Sequence, residues 1–110
     1  MQLKWHKNLT LKKWQKYTKD KQILSIATEF MRAKNLLLWK KNNEVKQSYE
    51  RAYELLDLTV EDPNWRHGLK EILRFREIIG ELYLKPNLKL NEKLLNILLT
   101  LTPGSYNLYH

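Results

Sequence analysis

The sequence predicts an all-α fold: an up-down bundle of three to four helices preceded by a basic N-terminal arm that contains a short helix. Three observations carry this. Apolar residues recur at helical spacing along the chain, and strand-type alternation is hard to find. Only three glycines and three prolines interrupt the 110 residues. Each long periodic stretch is also bounded by residue types that start or stop helices. The size is that of one domain whose core needs neither disulfide nor metal. A content of 43% hydrophobic and 29% charged residues is that of an ordinary globular protein.

Taken in order, Thr10 is the candidate N-cap of a short helix from Leu11 to Tyr17, with Leu11, Trp14 and Tyr17 on one side and Lys12, Lys13 and Lys16 on the others. A second helix is expected from about Thr18–Asp20 to Lys41. Its apolar stripe of Ile23, Ile26, Ala27, Phe30, Ala33 and Leu37 follows the i, i+3, i+4, i+7 pattern of one buried face. Asn42-Asn43 breaks that pattern and offers a cap to a third helix, about Glu44 to Val60, on which Val45, Tyr49, Ala52, Leu56 and Thr59 share a face. So short a connection makes the two long helices antiparallel neighbours. Asp62-Pro63 ends the third helix and begins a fourth, with Asp as N-cap and Pro at the first helical position. Lys85-Pro86-Asn87 stops it after Leu84. Asn91-Glu92 is read as the cap of a last helix that ends before Thr102-Pro103-Gly104. These boundaries divide the chain into an arm (1–20), a bundle (21–102) and a tail (103–110).

The fourth helix has the widest apolar arc. Leu69, Ile72, Leu73, Phe75, Ile78, Ile79, Leu82 and Tyr83 cover more than half of its circumference. It is therefore expected to be central, or to supply a surface for self-association as a homodimer or with another protein. Arg76 falls inside that arc. An unpaired buried guanidinium costs several kcal/mol, so a carboxylate partner is expected, either Glu29 or Asp57.

Charge is divided unevenly. Residues 1–22 hold seven lysines against one acid, Asp20, whereas residues 44–110 hold nine Lys/Arg against ten Asp/Glu. A net charge of +8 is also what a lysine-rich proteome produces, but composition drift spreads lysines evenly. Their concentration at one end suggests an acidic partner. Lys4, Lys7, Lys12, Lys13, Lys16 and Lys19 alternate with Trp5, Trp14 and Tyr17, a mixture able to neutralise phosphates and stack on bases. Three other readings of the arm compete. Trp14 folds back over the bundle and leaves the lysines as a wet face, the segment lies on an anionic membrane surface, or it docks on an acidic protein.

Catalytic signatures are missing. There is no cysteine, hence no disulfide, thiolate ligand or cysteine nucleophile. None of the histidines, at 6, 67 and 110, follows an acid at the i−3 spacing of a di-iron bundle, nor an arginine at the four-to-six spacing of HEPN-type ribonucleases. Three isolated glycines build no phosphate loop, and Ser25, Ser48 and Ser105 lack any nucleophile pattern. Pairs such as Glu29/Arg32, Glu71/Arg74 and Arg74/Glu77 are expected as solvent-strip ion pairs. No catalytic residue, metal or cofactor is expected. The basic start is followed by no apolar h-region, and Leu36–Trp39 and Leu94–Leu101 are too short to span a bilayer, so a cytoplasmic protein without integral membrane association is expected.

Several motifs occur in a fixed order. An early Trp (Trp5 or Trp14) precedes Glu29-Phe30-Met31-Arg32-Ala33, then Glu50-Arg51-Ala52-Tyr53-Glu54-Leu55-Leu56-Asp57-Leu58-Thr59, Asp62-Pro63-Asn64-Trp65 and Leu69-Lys70-Glu71-Ile72-Leu73-Arg74-Phe75-Arg76-Glu77. Over about residues 14–84 this resembles a widespread group of small bacterial helical proteins to which no activity is attached. The resemblance implies a compact helical domain. Its repeated acidic and arginine positions fall on Glu29, Arg32, Arg51, Asp57, Arg74, Arg76 and Glu77, which form either a site or an internal polar network. Lys85-Pro86-Asn87 and the lysine-rich start depart from its pattern. The reading of the whole is a non-catalytic interaction or accessory module that self-associates. The alternative is a nucleic-acid-binding accessory protein using the arm, and the third is an enzyme acting through Glu29, Asp57 and Arg76.

Overall fold

The computed structural model describes residues 3–102; the expected tail over 103–110 and the first two residues of the arm lie outside the described residues. Helices α1 (Leu11–Gln15), α2 (Lys19–Leu38), α3 (Asn42–Glu61), α4 (Leu69–Leu84) and α5 (Leu88–Leu99) follow one another, with a single 3₁₀ turn at Pro63–Trp65 and no strand among the described residues. The fold is an all-α bundle. Among the described residues no helix is long and apolar enough to cross a membrane.

Helices α2 and α3 form the spine. The predicted stripe of α2 is buried at Ile23, Ile26, Ala27, Phe30 and Ala33, and meets Val45, Tyr49, Ala52 and Leu56 of α3. Phe30 is wedged between aromatic rings, its centroid 5.9 Å from that of Tyr49 and 5.5 Å from that of Phe75 on α4. α2 ends at Leu38, three residues before the expected Lys41, because Lys40 turns left-handed at φ 57°. Lys41 N then donates to Leu36 O and Lys40 N to Leu37 O, the paired bonds of a Schellman stop. α3 follows at once, so Asn42 and Asn43 sit in its first turn instead of capping it.

Three further expectations are corrected. The fourth helix begins at Leu69 and not at Pro63. Asp62 does cap, through Asn64 N, but it caps the 3₁₀ turn that carries the buried Trp65 inward. Gly68 then lies so close to that indole that a Cβ would come within 2.8 Å of it. The last helix is capped by Asn87, whose Oδ1 accepts from Leu90 N, and begins three residues ahead of Asn91. Asn91 is instead buried in the core. It accepts from the Tyr49 hydroxyl at 2.7 Å and donates to Phe30 O at 3.0 Å, joining α2, α3 and α5. Burial pushes the Tyr49 hydroxyl well above the ordinary tyrosine range.

Finally, α3 is the central helix and α4 is not. α3 packs against α1, α2 and α4, whereas α4 rests on α3 and touches α5 only slightly. Only part of the wide α4 arc is therefore covered: Ile72, Phe75, Ile79 and Leu82 are buried but Leu73 is exposed, and outside the arc Leu84 is 81% exposed.

The N-terminal segment returns to the same core. Leu3 is buried, and Trp14 is only 1% exposed. Trp14 Nε1 donates to Thr59 Oγ1 at 3.1 Å. Gln22 completes the attachment, its amide donating to Trp14 O and to Asp62 Oδ2 while its carbonyl accepts from Trp65 Nε1 at 2.6 Å. The side-chain polar groups of Trp14, Thr59, Gln22, Asp62 and Trp65 are all bonded in a dry setting, which fixes one packing.

Asn91→Ala is expected to strand the Tyr49 hydroxyl and the Phe30 carbonyl and to cost roughly 2–4 kcal/mol in urea unfolding. Tyr49→Phe, which leaves the amide its bond to Phe30, is expected to cost about 1 kcal/mol. Equal and negligible losses would show that the pair contributes nothing.

Candidate functional site

The acids of α3 are arranged before any ligand is considered. Glu50, Glu54, Asp57 and Glu61 recur at i, i+4, i+7 and i+11, which places them on one ridge of the helix. The N-terminal segment lies on that ridge. Glu54 accepts from three consecutive backbone N–H groups, Lys4 at 2.7 Å, Trp5 at 2.9 Å and His6 at 3.0 Å. His6 Nδ1 lies 2.9 Å from the same carboxylate. Glu50 accepts from Trp5 Nε1 at 3.2 Å and from the Tyr83 hydroxyl at 3.0 Å, and Lys4 Nζ stands 3.4 Å away. A run of backbone N–H groups closing on one anion is a nest. Burial pushes both carboxyls up, but the donors outweigh it, and Glu50 and Glu54 are held below the ordinary carboxylate range.

The return of the segment creates a groove of about 650 Å³. Residues Trp5 to Leu9 make one wall, Trp14 and Tyr17 another, and Thr28, Glu29, Arg32, Arg51 and Leu55 line the rest. Glu29 is 4% exposed and holds two guanidinium groups, Arg32 Nη1 at 2.9 Å and Arg51 Nε at 2.9 Å. Arg51 also donates to Ser48 Oγ at 3.0 Å and lies over the Trp5 ring, 5.4 Å from its centroid. Arg51 is mostly covered. Arg32 is more than half exposed, and its bond to Glu29 runs through Nη1.

The lysines flank this groove. Lys7 lines it, and Lys21 lines a smaller recess that shares Tyr17, Ser25 and Thr28 with it. Lys7, Lys12, Lys13, Lys16, Lys19 and Lys21 are all exposed. Thr10 and Thr18 cap α1 and α2 by accepting from Lys13 N and Lys21 N, so these lysines stand on fixed backbone. Lys13 Nζ donates to Asn8 O, Lys19 Nζ lies 5.2 Å from the centroid of Trp65, and Lys21 Nζ lies 5.9 Å from that of Tyr17.

The structure thus sorts the residues singled out from the sequence. Lys7, Glu29, Arg32 and Arg51 converge on one groove, while Lys12, Lys13, Lys16 and Lys19 are exposed nearby on α1 and at the start of α2. Trp14 is corrected as a stacking residue, because burial leaves it no free face. Lys4 is engaged by Glu50 and by the face of Trp5, 5.0 Å from its centroid. Arg76 pairs with Asp57 at 2.7 Å and lies over Tyr53, but its side chain is 42% exposed because α4 sits at the side of the bundle. Glu29 shares no partner with that pair. Arg74 and Glu77 are exposed and form no ion pair among the described residues, so neither joins a polar network.

Glu50, Glu54 and His6 escape a reading based on the basic end alone. Their one signal is the acidic ridge, legible as a complement to the lysines only when both are set side by side. Among the described residues no three His, Cys, Asp or Glu side chains are grouped as a metal site requires. No family model, curated protein or solved structure matches the chain.

Because the folded-state values of Glu50 and Glu54 lie below their unfolded values, docking of the N-terminal segment stabilises the fold above the ordinary glutamate pKa, about 4.3. That contribution is lost as pH falls through the lower folded values. The backbone amide resonances of Lys4, Trp5 and His6 are expected to shift together on acid titration. Glu54→Gln is expected to lower stability at neutral pH by roughly 1–3 kcal/mol and to flatten that titration. Amide shifts unaffected by pH in the native chain would contradict the docking geometry.

Proposed function

We propose that this chain is a non-catalytic helical module that binds nucleic acid through the basic face of residues 7–21. One observation carries the reading. Six exposed lysines stand on that stretch without a carboxylate partner among the described residues, while the nearby acids Glu29, Glu50 and Glu54 are taken up by internal donors. A solvated surface usually interleaves lysines with acids, and its field cancels within a Debye length. Within residues 7–21 Asp20 is the one acid. Although Asp57 and Glu61 line a recess beside Leu9, Thr10 and Leu11, the six lysines outnumber these acids; a repeating phosphate chain is the complement that such a field attracts. A cytoplasmic site of action belongs to the same proposal and is supported by the cysteine-free composition.

The test is fluorescence anisotropy of a labelled oligonucleotide across a salt series. If about four lysines meet phosphates, log affinity is expected to fall against log salt with a slope of roughly −3 to −4. Replacing Lys12, Lys13 and Lys16 together by alanine is expected to reduce affinity at least tenfold and to shallow the slope by about 2. Binding indifferent to salt would overturn the proposal.

A second reading, self-association as a homodimer, rests on the uncovered flank of α4. Leu73 and Leu84 are exposed there, and Ile97 is exposed on α5. Light scattering is then expected to give twice 13.4 kDa, and Leu73→Ser with Leu84→Ser to return the monomer. A monomeric native chain at every concentration tested would dismiss this reading.

A further inference from the structure

We infer that the groove beside Arg32 receives an unstacked nucleotide, so that the partner is a single strand and not a duplex; this rests on the nucleic-acid reading above. A nucleotide joins a planar, largely apolar ring to an anion, and the groove offers both complements. Its space of about 650 Å³ lies within the 300–1,000 Å³ of small-ligand sites and is closed on one side by the docked N-terminal segment. Leu9 and Leu55 supply apolar lining. Tyr17 supplies an aromatic ring that is 44% exposed, braced by Trp14 in a T-shaped contact at 5.7 Å.

The anionic part has its own partners. Glu29 is buried and spends both oxygens on Arg32 and Arg51, so it fixes guanidinium groups without offering a carboxylate to the groove. Arg32 commits Nη1 to Glu29 and its side chain is more than half exposed, so Nε and Nη2, the fork that matches a phosphate, are not spent on that carboxylate. Two guanidinium charges against one carboxylate leave the groove positive, and Lys7 on its wall adds to this. A structural ion pair would be complete with Arg51 alone; Arg32 is held by the same carboxylate yet remains outside. A paired duplex keeps its bases stacked and has no ring to give to Tyr17, Leu9 and Leu55. A single strand does, and its flanking phosphates fall to the lysines around the groove.

Three labelled probes are compared on the full chain: an oligo-uridine and an oligo-thymidine of about 12 nucleotides and a duplex of equal length. Either single strand is expected to bind at least tenfold more tightly than the duplex. Tyr17→Ala and Arg32→Gln, each with native helix content by circular dichroism, are expected to weaken single-strand binding five- to 100-fold and to leave duplex binding within twofold. Equal affinity for strand and duplex, or single-strand binding unmoved by both substitutions, overturns the inference while the nucleic-acid reading stands. No binding of any probe overturns both, and capture of the chain by anionic vesicles in its place would assign the lysines to a membrane surface.

Discussion

One carboxylate, that of Glu54, holds an irregular peptide segment against a helical bundle. Backbone N–H groups outside helices and sheets must find acceptors or face water, and residues 4–6 belong to no helix. Glu54 receives all three of their donors within 3.0 Å. At its far end the segment is pinned again, where the Trp14 indole reaches Thr59 and the Trp14 carbonyl reaches Gln22. Between these attachments the chain has no freedom to leave, and the groove exists because of that. Without the Glu54 contact, Trp5 to Leu9 would lose their place and the groove would lose a wall.

The charge asymmetry of the sequence has two halves, and only one faces outward. The acidic partner that the lysine-rich end implies is partly the chain itself. The α3 ridge takes Lys4 and the backbone of residues 4–6, and farther along it Asp57 takes Arg76. Glu29, committed to Arg32 and Arg51, is likewise answered internally. Lys7, Lys12 and Lys16 remain exposed and set the sign of that surface. Net charge alone would not distinguish this from a uniformly solvated lysine coat; the pairing pattern does.

Much of the fold was legible because helices announce their buried faces periodically. The stripes of α2 and α3, their antiparallel pairing, the Thr10 cap and the need of Arg76 for a carboxylate follow from spacing and from elementary costs of burial, whereas the choice of Asp57 over Glu29 did not. What stayed hidden is long-range and polar. Gln22 meets Trp65 and Asn91 meets Tyr49 across more than 40 residues, and a single amide on a helix carries no periodic mark of such a partner. Asn91 reads as a cap for the same reason that it works in the core, since a short amide both donates and accepts. The place of α4 was misjudged because a wide apolar arc states how much surface wants cover, not which helix provides it. Of the groove, Glu29, Arg32 and Arg51 were visible as a set of residues, but the wall formed by Trp5 and His6 depends on a fold-back that local pattern does not encode.

Residue-resolved amide hydrogen exchange of the native chain tests the central contact most directly. Lys4, Trp5 and His6 are expected to exchange slowly, like the helical amides, while Lys7 and Asn8, which follow immediately but bond to no carboxylate, exchange fast. Uniformly fast exchange from residue 4 to residue 8 would contradict the Glu54 attachment, and with it the wall on which the groove depends.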